Sequence, residues 1–211
     1  MILTQQDILD LPKIKRLNII NSVTGIKPAN LVGTKNEHGK TNLAIFSSAV
    51  HLGSDPALIG LFFRPQHESP KETYLNIQKS GSYTINHVPL NFVKNAHYTS
   101  ARFPTTVSEF ERCGFSPEYI NGIEAPFVKE SFLKIGMEKV EEITISSNKT
   151  ILIIGQIRYL SFPDEMMNDE GALNLETIKT AGVSGVDTYY QLEKKAQFPY
   201  AHVADVPDFD S

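Results

Sequence analysis

One segment of the chain combines residue types that could hold a phosphate group. Arg64 and Lys71 supply positive charge, and the hydroxyl groups of Ser69 and Thr73 are hydrogen-bond donors. Ser69 and Glu72 have the spacing of a capping box at the start of a helix. Because the first turn of a helix has free N–H groups and the positive end of the helix dipole, this segment could bind a phosphate monoester. An ordinary capped helix with solvated charges is the alternative interpretation.

A second segment, residues 42–49 with the sequence NLAIFSSA, could accept a flat ring. Side chains alternate along a strand, so Ala44, Phe46 and Ser48 share one small and mildly polar face. A planar heteroaromatic ring could lie against this face and receive hydrogen bonds from backbone amides. A half-buried barrel strand without any ligand is the alternative interpretation.

Motifs for several other chemistries are absent or wrongly spaced. Five residues separate Gly33 from Gly39, whereas a P-loop requires four, and this loop is predicted to join two strands. There is no G-x-G-x-x-G fingerprint and no G-x-S-x-G elbow. The six histidines form no H-E-x-x-H motif, and the single cysteine, Cys113, is more typical of an inert thiol. If the protein is an enzyme, we therefore expect a cofactor to supply its chemistry.

The elements that must position these segments are mostly strands. Hydrophobic alternation and turn residues predict strands over 29–34, 41–52, 57–63, 82–88, 132–146 and 150–162, with a further strand near 188–192. Helices are predicted within 4–23, over 69–79 and 106–113, and near 175–180. Many strands without regular βαβ alternation favour a mainly β fold, an antiparallel barrel with peripheral helices.

Length and charge limit the class of protein. The 211 residues predict one domain over 1–211, with 20 basic and 24 acidic residues and a net charge of −4. This balance argues against nucleic-acid binding, and one cysteine excludes an intramolecular disulfide framework. No apolar run is long enough to cross a membrane and no signal peptide is visible, so we expect a soluble, cytoplasmic protein with no membrane partner.

The motifs taken in order resemble those of the flavin reductase-like, FMN-binding split-barrel family, which includes flavoredoxin. The resemblance extends from about residue 23 to residue 200. It rests on Asn42 with Phe46-Ser47-Ser48, Ser54-Asp55-Pro56, Lys71-Glu72-Thr73 with Asn76-Ile77, Gly81-Ser82-Tyr83 with Asn86, Ala125-Pro126 with Glu130-Ser131, and Gly185 with Tyr189-Tyr190.

The resemblance implies a six-stranded Greek-key split barrel that forms a homodimer and binds FMN near the subunit interface. Its phosphate would be held by Arg64, Ser69, Lys71 and Thr73. Its ring would be lined by Asn42, Ala44, Phe46, Ser47 and Ser48, with Asn86 nearby. A nicotinamide nucleotide, NADH or NADPH, would be the co-substrate, and the sequence leaves open whether FAD replaces FMN.

Three functions remain open from the sequence. The first is an NAD(P)H-dependent oxidoreductase of the flavin reductase type. The second is a flavoredoxin-like electron carrier or flavin-binding protein without direct NAD(P)H activity. The third is a barrel with no flavin at all. His97 lies in the irregular middle segment that could cover the ring, where it could contact flavin or nicotinamide, although an ordinary surface histidine is the favoured interpretation.

Overall fold

Antiparallel strands form most of the molecule, as seen in a computed structural model that describes residues 1–66, 70–120 and 122–209. The strands are β1 (Lys27–Pro28), β2 (Asn30–Lys35), β3 (Thr41–Phe46), β4 (Ala49–Ser54), β5 (Ala57–Phe63), β6 (Ser82–His87), β7 (Pro117–Glu118), β8 (Phe127–Val128), β9 (Lys134–Thr144), β10 (Ile151–Ser161), β11 (Ala181–Ser184) and β12 (Thr188–Gln191). The α-helices are α1 (Gln5–Asp10), α2 (Lys13–Ser22), α3 (Glu72–Ser80), α4 (Val93–Tyr98) and α5 (Glu109–Arg112). Short 3-10 helices span Leu90–Phe92, Asp164–Met166 and Val203–Asp205.

The main sheet has seven strands in the order β3-β2-β6-β9-β10-β5-β4. All of its pairings are antiparallel. Its two edge strands, β3 and β4, follow one another in the chain and are joined by Ser47 and Ser48. This mainly β architecture with an open edge confirms the split barrel expected from the sequence.

The prediction of one continuous strand over 41–52 is wrong, because the chain breaks at Ser47 and Ser48. The Ser48 hydroxyl donates to the backbone oxygen of Phe62 at 2.8 Å, and the Phe62 N–H donates to the Ser48 oxygen at 3.3 Å. These bonds turn the chain from the β2 side of the sheet to the β5 side. The break explains why the sheet has seven strands where six were expected.

Two hydrophobic clusters lie on the two faces of this sheet. One contains Leu61, Tyr83 and Ile153 together with Ile77 from α3. The other contains Leu43 from β3 and Phe110 from α5. Side chains alternate between the two faces along β3, so Leu43 lies in one cluster while Phe46 packs against the other.

Three of the predicted helices differ from those in the structure. Helix α3 begins at Glu72 with Lys71 as its N-cap residue, so the predicted start at Ser69, which lies outside the described residues, is wrong. Residues 175–179 form turns rather than a helix, because Thr180 bridges to Pro89 and draws the chain back to the sheet. Helix α5 spans only four of the residues 106–113, since Gly114 adopts a positive φ of 74° immediately after it.

The other predicted elements are confirmed. Strand β5 spans the predicted residues, and Gly39 has the positive φ of 79° that the β2–β3 turn requires. The capping box of α1 is present, with the Thr4 hydroxyl accepting from the Asp7 N–H at 3.2 Å. Within the described residues, no helix is long and apolar enough to cross a membrane.

Candidate functional site

Two exposed cations flank the start of α3. After β5 the chain runs through Arg64 and Gln66 and returns to Lys71 at the N-cap position. The side chain of Gln66 accepts from the Lys71 N–H at 2.7 Å and donates to the Arg64 oxygen at 2.6 Å. Gln66 thus fixes the backbone that carries both cations. Within residues 1–66, 70–120 and 122–209, neither cation forms an ion pair.

The first turn of α3 has backbone donors that face away from the helix. No side chain among the described residues caps this nine-residue helix. The amides of its first turn have no helical acceptors, and they lie at the positive end of the helix dipole. The one carboxylate in this turn, Glu72, lies 3.7 Å from the ammonium group of Lys40. The ion pair offsets the negative charge of Glu72, so this end of α3 has the donors and charge that an anion requires.

A buried amide network connects this turn to β3. The Asn42 side-chain amide donates to the hydroxyls of Thr34 at 3.1 Å and Thr73 at 2.9 Å. Asn76 donates to the same Thr34 hydroxyl at 3.0 Å. The structure therefore brings together Asn42 and Thr73, which the sequence assigned to different parts of the ligand. Their contact fixes the first turn of α3 against β3, and Thr34 was missed because its partners are distant in sequence.

The expected ring-binding residues line the split between β3 and β4. Ala44, Phe46, Ser47 and Ser48 are all half-buried there. The Phe46 ring packs edge-on against Phe63 with centroids 5.0 Å apart. Phe46 therefore forms part of the barrel wall beside the strand that ends next to Arg64.

The free edge of β3 presents backbone hydrogen-bonding groups. The Leu43 N–H points away from β2, since it donates to Glu109 Oε2 at 3.2 Å. Backbone direction alternates along an antiparallel strand, so the N–H and C=O of Ile45 lie on the same free edge. An edge of this kind can hydrogen-bond a planar heterocycle through the main chain alone. The sequence analysis expected backbone contacts but did not identify this edge.

Glu109 is a buried carboxylate at this edge. Burial raises the pKa of Glu109, the negative charge of Glu72 raises it further, and the hydrogen bond from Leu43 and the charge of Lys40 lower it. The segment that carries Glu109 is attached to β3 at two more points. Lys40 donates to the backbone oxygen of Thr105, and the hydroxyls of Thr41 and Ser108 lie 2.7 Å apart. Glu109 was missed because no local motif marks it.

We expect Glu109→Gln to change how stability depends on pH. The folded protein retains the Glu109 proton to a higher pH than the unfolded chain, because burial disfavours the carboxylate. The stabilisation by this proton is present below the ordinary pKa of glutamic acid and is lost as the pH rises through the raised pKa. Glutamine is neutral and still accepts from Leu43. Relative to the wild type, the variant should therefore gain stability as the pH rises above about 4, the ordinary pKa of glutamic acid.

Urea unfolding at several pH values measures this difference. Glu111→Gln is the matched control, because Glu111 is an exposed glutamate in the same helix. A constant stability difference between Glu109→Gln and the wild type across the pH range would show that Glu109 does not titrate differently in the folded protein.

Asn86, expected near the ring, has its side-chain partners inside the protein. It is fully buried, and its side-chain amide donates to the Leu31 oxygen at 3.1 Å and the Thr84 hydroxyl at 2.9 Å. Its side-chain oxygen accepts from the Val128 N–H at 3.0 Å. Both amide hydrogens are used inside the protein, and the side-chain oxygen attaches β8 to the sheet.

The structure also describes two further residues considered from the sequence. His97 Nδ1 is 3.2 Å from the hydroxyl of Tyr189 on β12. Cys113 is buried, and burial raises the pKa of its thiol, as expected of an unreactive cysteine. No group of three histidine, cysteine or acidic side chains suited to a metal ion occurs within the described part of the chain.

Comparison with known proteins places this architecture in a family. A Shewanella frigidimarina protein with a split barrel domain, provisionally assigned as a flavin reductase, is 42% identical with a TM-score of 0.91, and the match covers 95% of this chain and 100% of that one. Flavoredoxin of Desulfovibrio vulgaris is 20% identical with a TM-score of 0.71, covering 83% and 92% of the two chains. An FMN-binding protein from Thermus thermophilus is 15% identical with a TM-score of 0.68, covering 83% and 91%. The model of the flavin reductase like domain matches residues 26–177, so the chain belongs to the flavin reductase-like family.

Proposed function

We propose that the protein binds FMN at the split between β3 and β4 and acts as an NAD(P)H-dependent oxidoreductase of the flavin reductase type. One observation carries the proposal. Within the described residues no side chain caps the first turn of α3, which is flanked by the exposed cations Arg64 and Lys71. This turn lies next to the edge of β3, where the backbone groups of Ile45 point away from β2. In a member of the flavin reductase-like family, this combination suits a ligand with a phosphate at one end and a planar heterocycle at the other.

The α3 end of the site would hold the phosphate. Arg64 and Lys71 would donate charged hydrogen bonds, each worth about 1.5–3 kcal/mol. The Thr73 hydroxyl oxygen accepts from Asn42, which leaves its own hydrogen for another acceptor. The free amides of the first turn would complete the set of donors. Ser69 remains a proposed contact and lies outside the described residues.

The β3 end of the site would hold the ring. The N–H and C=O of Ile45 on the free edge can pair with the donors and acceptors of a pyrimidine-like ring, while Ala44 keeps the surface beside it small. Ser47 and Ser48 form the break that opens the sheet there. Asn42 would act indirectly by fixing β3 to α3, and the buried Asn86 is not a contact in this proposal.

FMN, when bound, would supply the redox chemistry by accepting electrons from a nicotinamide nucleotide and passing them to an acceptor. The work of the chain is to bind and orient the ring and to stabilise charge through backbone amides. We assign no catalytic side chain. This agrees with a sequence that contains none of the nucleophile or metal motifs considered above.

The absorption spectrum of the purified protein is the first test of flavin binding. We expect a yellow protein whose released chromophore co-elutes with FMN in chromatography. FAD is offered in parallel, since each of its two phosphates carries one ester and one anhydride bond and fits a monoester site less well. A protein that remains colourless after incubation with both flavins would contradict the proposal and leave a barrel without a flavin function.

Oxidation of NADH and NADPH in the presence of added free flavin tests the activity. Turnover well above the rate without protein supports the reductase. An FMN-bound protein that does not oxidise either nucleotide would contradict the reductase and favour the second function, an electron carrier or flavin-binding protein.

The organisation of the protein is also proposed. We propose a single domain over residues 1–211, a homodimer as the family resemblance implies, and a cytoplasmic location. Light scattering coupled to size-exclusion chromatography measures the mass of the assembly, and a monomer at all concentrations would contradict the homodimer.

A further inference from the structure

Helix α2 has an apolar face that the described residues leave largely exposed. Ile14, Leu17 and Ile20 recur every three residues and therefore lie on one side of the helix. Their exposed fractions are 67%, 46% and 46%, and no residue of α2 is buried. Packing of an apolar face normally supplies most of a helix's stability, so this face is suited to a partner.

The C-terminal tail presents a second set of uncovered apolar side chains. Beyond β12, five large hydrophobic residues have exposed fractions between 60% and 93%: Phe198, Tyr200, Val203, Val206 and Phe209. The only regular element of this tail among the described residues is the 3-10 helix Val203–Asp205. In the single chain the tail and α2 are thus both exposed.

The charges of these two surfaces are complementary. The first turn of α2 contains Lys13 and Lys15 and no acidic residue, and its N-cap residue, Pro12, makes no side-chain hydrogen bond. Two lysines at the positive end of a helix dipole are unfavourable unless an anion approaches. The tail supplies Asp205 between Val203 and Val206. Within the described residues, these two lysines and Asp205 form no ion pair.

We propose that residues 198–209 of one copy pack on α2 of a second copy, with the exchange repeated about a two-fold axis. The two exchanged tails carry six aromatic side chains, each with roughly 150–250 Å² to bury, which together give about 1,000 Å². A standard stable interface buries about 1,200–2,000 Å² in total. The apolar face of α2 supplies the remainder, so the exchange is large enough to be stable in solution. This contact does not depend on the proposed FMN site.

A tryptophan at position 198 reports the environment of the tail, because the protein contains no tryptophan. In Phe198→Trp, we expect blue-shifted emission in the associated state and red-shifted emission when Leu17→Asp and Ile20→Asp are added. These two substitutions define the helix variant. Val140→Asp is the matched control, since Val140 is an exposed apolar residue on β9 and should leave the emission unchanged. Emission indifferent to the helix variant would overturn the proposal.

Mixing two damaged chains distinguishes exchange from folding of the tail onto its own chain. The first chain carries the helix variant with the Phe198→Trp reporter. The second carries Val203→Lys and Val206→Lys in its tail, with an intact α2. Exchange predicts that adding the second chain restores the blue shift, because the intact tail of the first chain meets the intact helix of the second. If the tail docks on its own α2, mixing restores nothing and the proposal is wrong.

Charge reversal tests the electrostatic part of the contact. We expect the double substitution Lys13→Glu and Lys15→Glu to weaken tail binding about tenfold or more at low salt. When Asp205→Lys is combined with these two substitutions, part of the lost affinity should return. If neither change affects tail binding, Lys13 and Lys15 do not attract Asp205, and the choice of α2 as the docking surface is wrong. All of these measurements use protein without flavin, so their outcome is separate from that of the FMN experiments.

Discussion

Replacing Arg64 and Lys71 together with alanine is expected to weaken FMN binding about 100-fold or more. Each substitution removes a charged hydrogen bond to the proposed phosphate, worth about 1.5–3 kcal/mol, and about 1.4 kcal/mol corresponds to a tenfold change in affinity. Both side chains are exposed, so water screens part of their interaction and the lower end of the range is expected. Titration of the variant with FMN, followed by fluorescence or calorimetry, measures the change.

The fold should survive this double substitution, because neither cation forms an ion pair within the described residues. Thermal unfolding without flavin checks that point. Lys79→Ala is the matched control: Lys79 lies in the last turn of the same helix, far from its N-terminus. Unchanged FMN affinity in the double variant, in a protein that binds FMN, would place the phosphate elsewhere.

Gly33→Ala is expected to lower the free energy of unfolding by about 3 kcal/mol or more. A methyl group at Gly33 would overlap the backbone oxygen of Pro126 and lie 2.7 Å from the hydroxyl of Thr84. Thr84 donates to that same Pro126 oxygen at 2.7 Å and accepts from Asn86, so the added methyl group would disrupt a buried network. Overpacking alone costs about 1–3 kcal/mol, and unpaired buried polar groups add to it.

Urea unfolding of the variant without flavin measures this loss. Gly53→Ala on edge strand β4 is the control, since the nearest atom to its added methyl group is 3.5 Å away, an ordinary contact. Gly33 pairs with Leu43 of β3, so loss of this packing should also impair FMN binding. A free energy of unfolding equal to that of Gly53→Ala would show that β2 and β8 shift to accommodate the methyl group without loss of stability.

The fold could be predicted from the sequence because its main signals are local. Alternating apolar residues and a glycine turn identified β2, β3 and β5, and each of these patterns lies within about ten residues of chain. The break at Ser47 and Ser48 could not be found this way. Its cause is the hydrogen bonding of Ser48 with Phe62, which comes from another strand.

The candidate site was predicted in part. The segment with Arg64 and Lys71 was identified because charges and a helix start are close in sequence, and the structure gives both cations a shared anchor in Gln66. The start of α3 was misplaced, since residue types favoured a cap at Ser69, whereas the helix begins at Glu72 with Lys71 as its N-cap residue. Whether these residues bind FMN remains a prediction for the experiments above.

By itself, the sequence determined the strand-rich class, the positions of most strands, and the segments with the chemistry for phosphate and ring binding. Only the tertiary structure decided which side chains are available for a ligand. Asn86 and Asn42 are alike in sequence character, yet Asn86 uses its amide group to attach β8, and Asn42 uses its own to join β3 to α3. Glu109 meets the free edge of β3 from 66 residues away. Availability depends on which groups meet across strands, and periodicity within one strand carries no information about its neighbours.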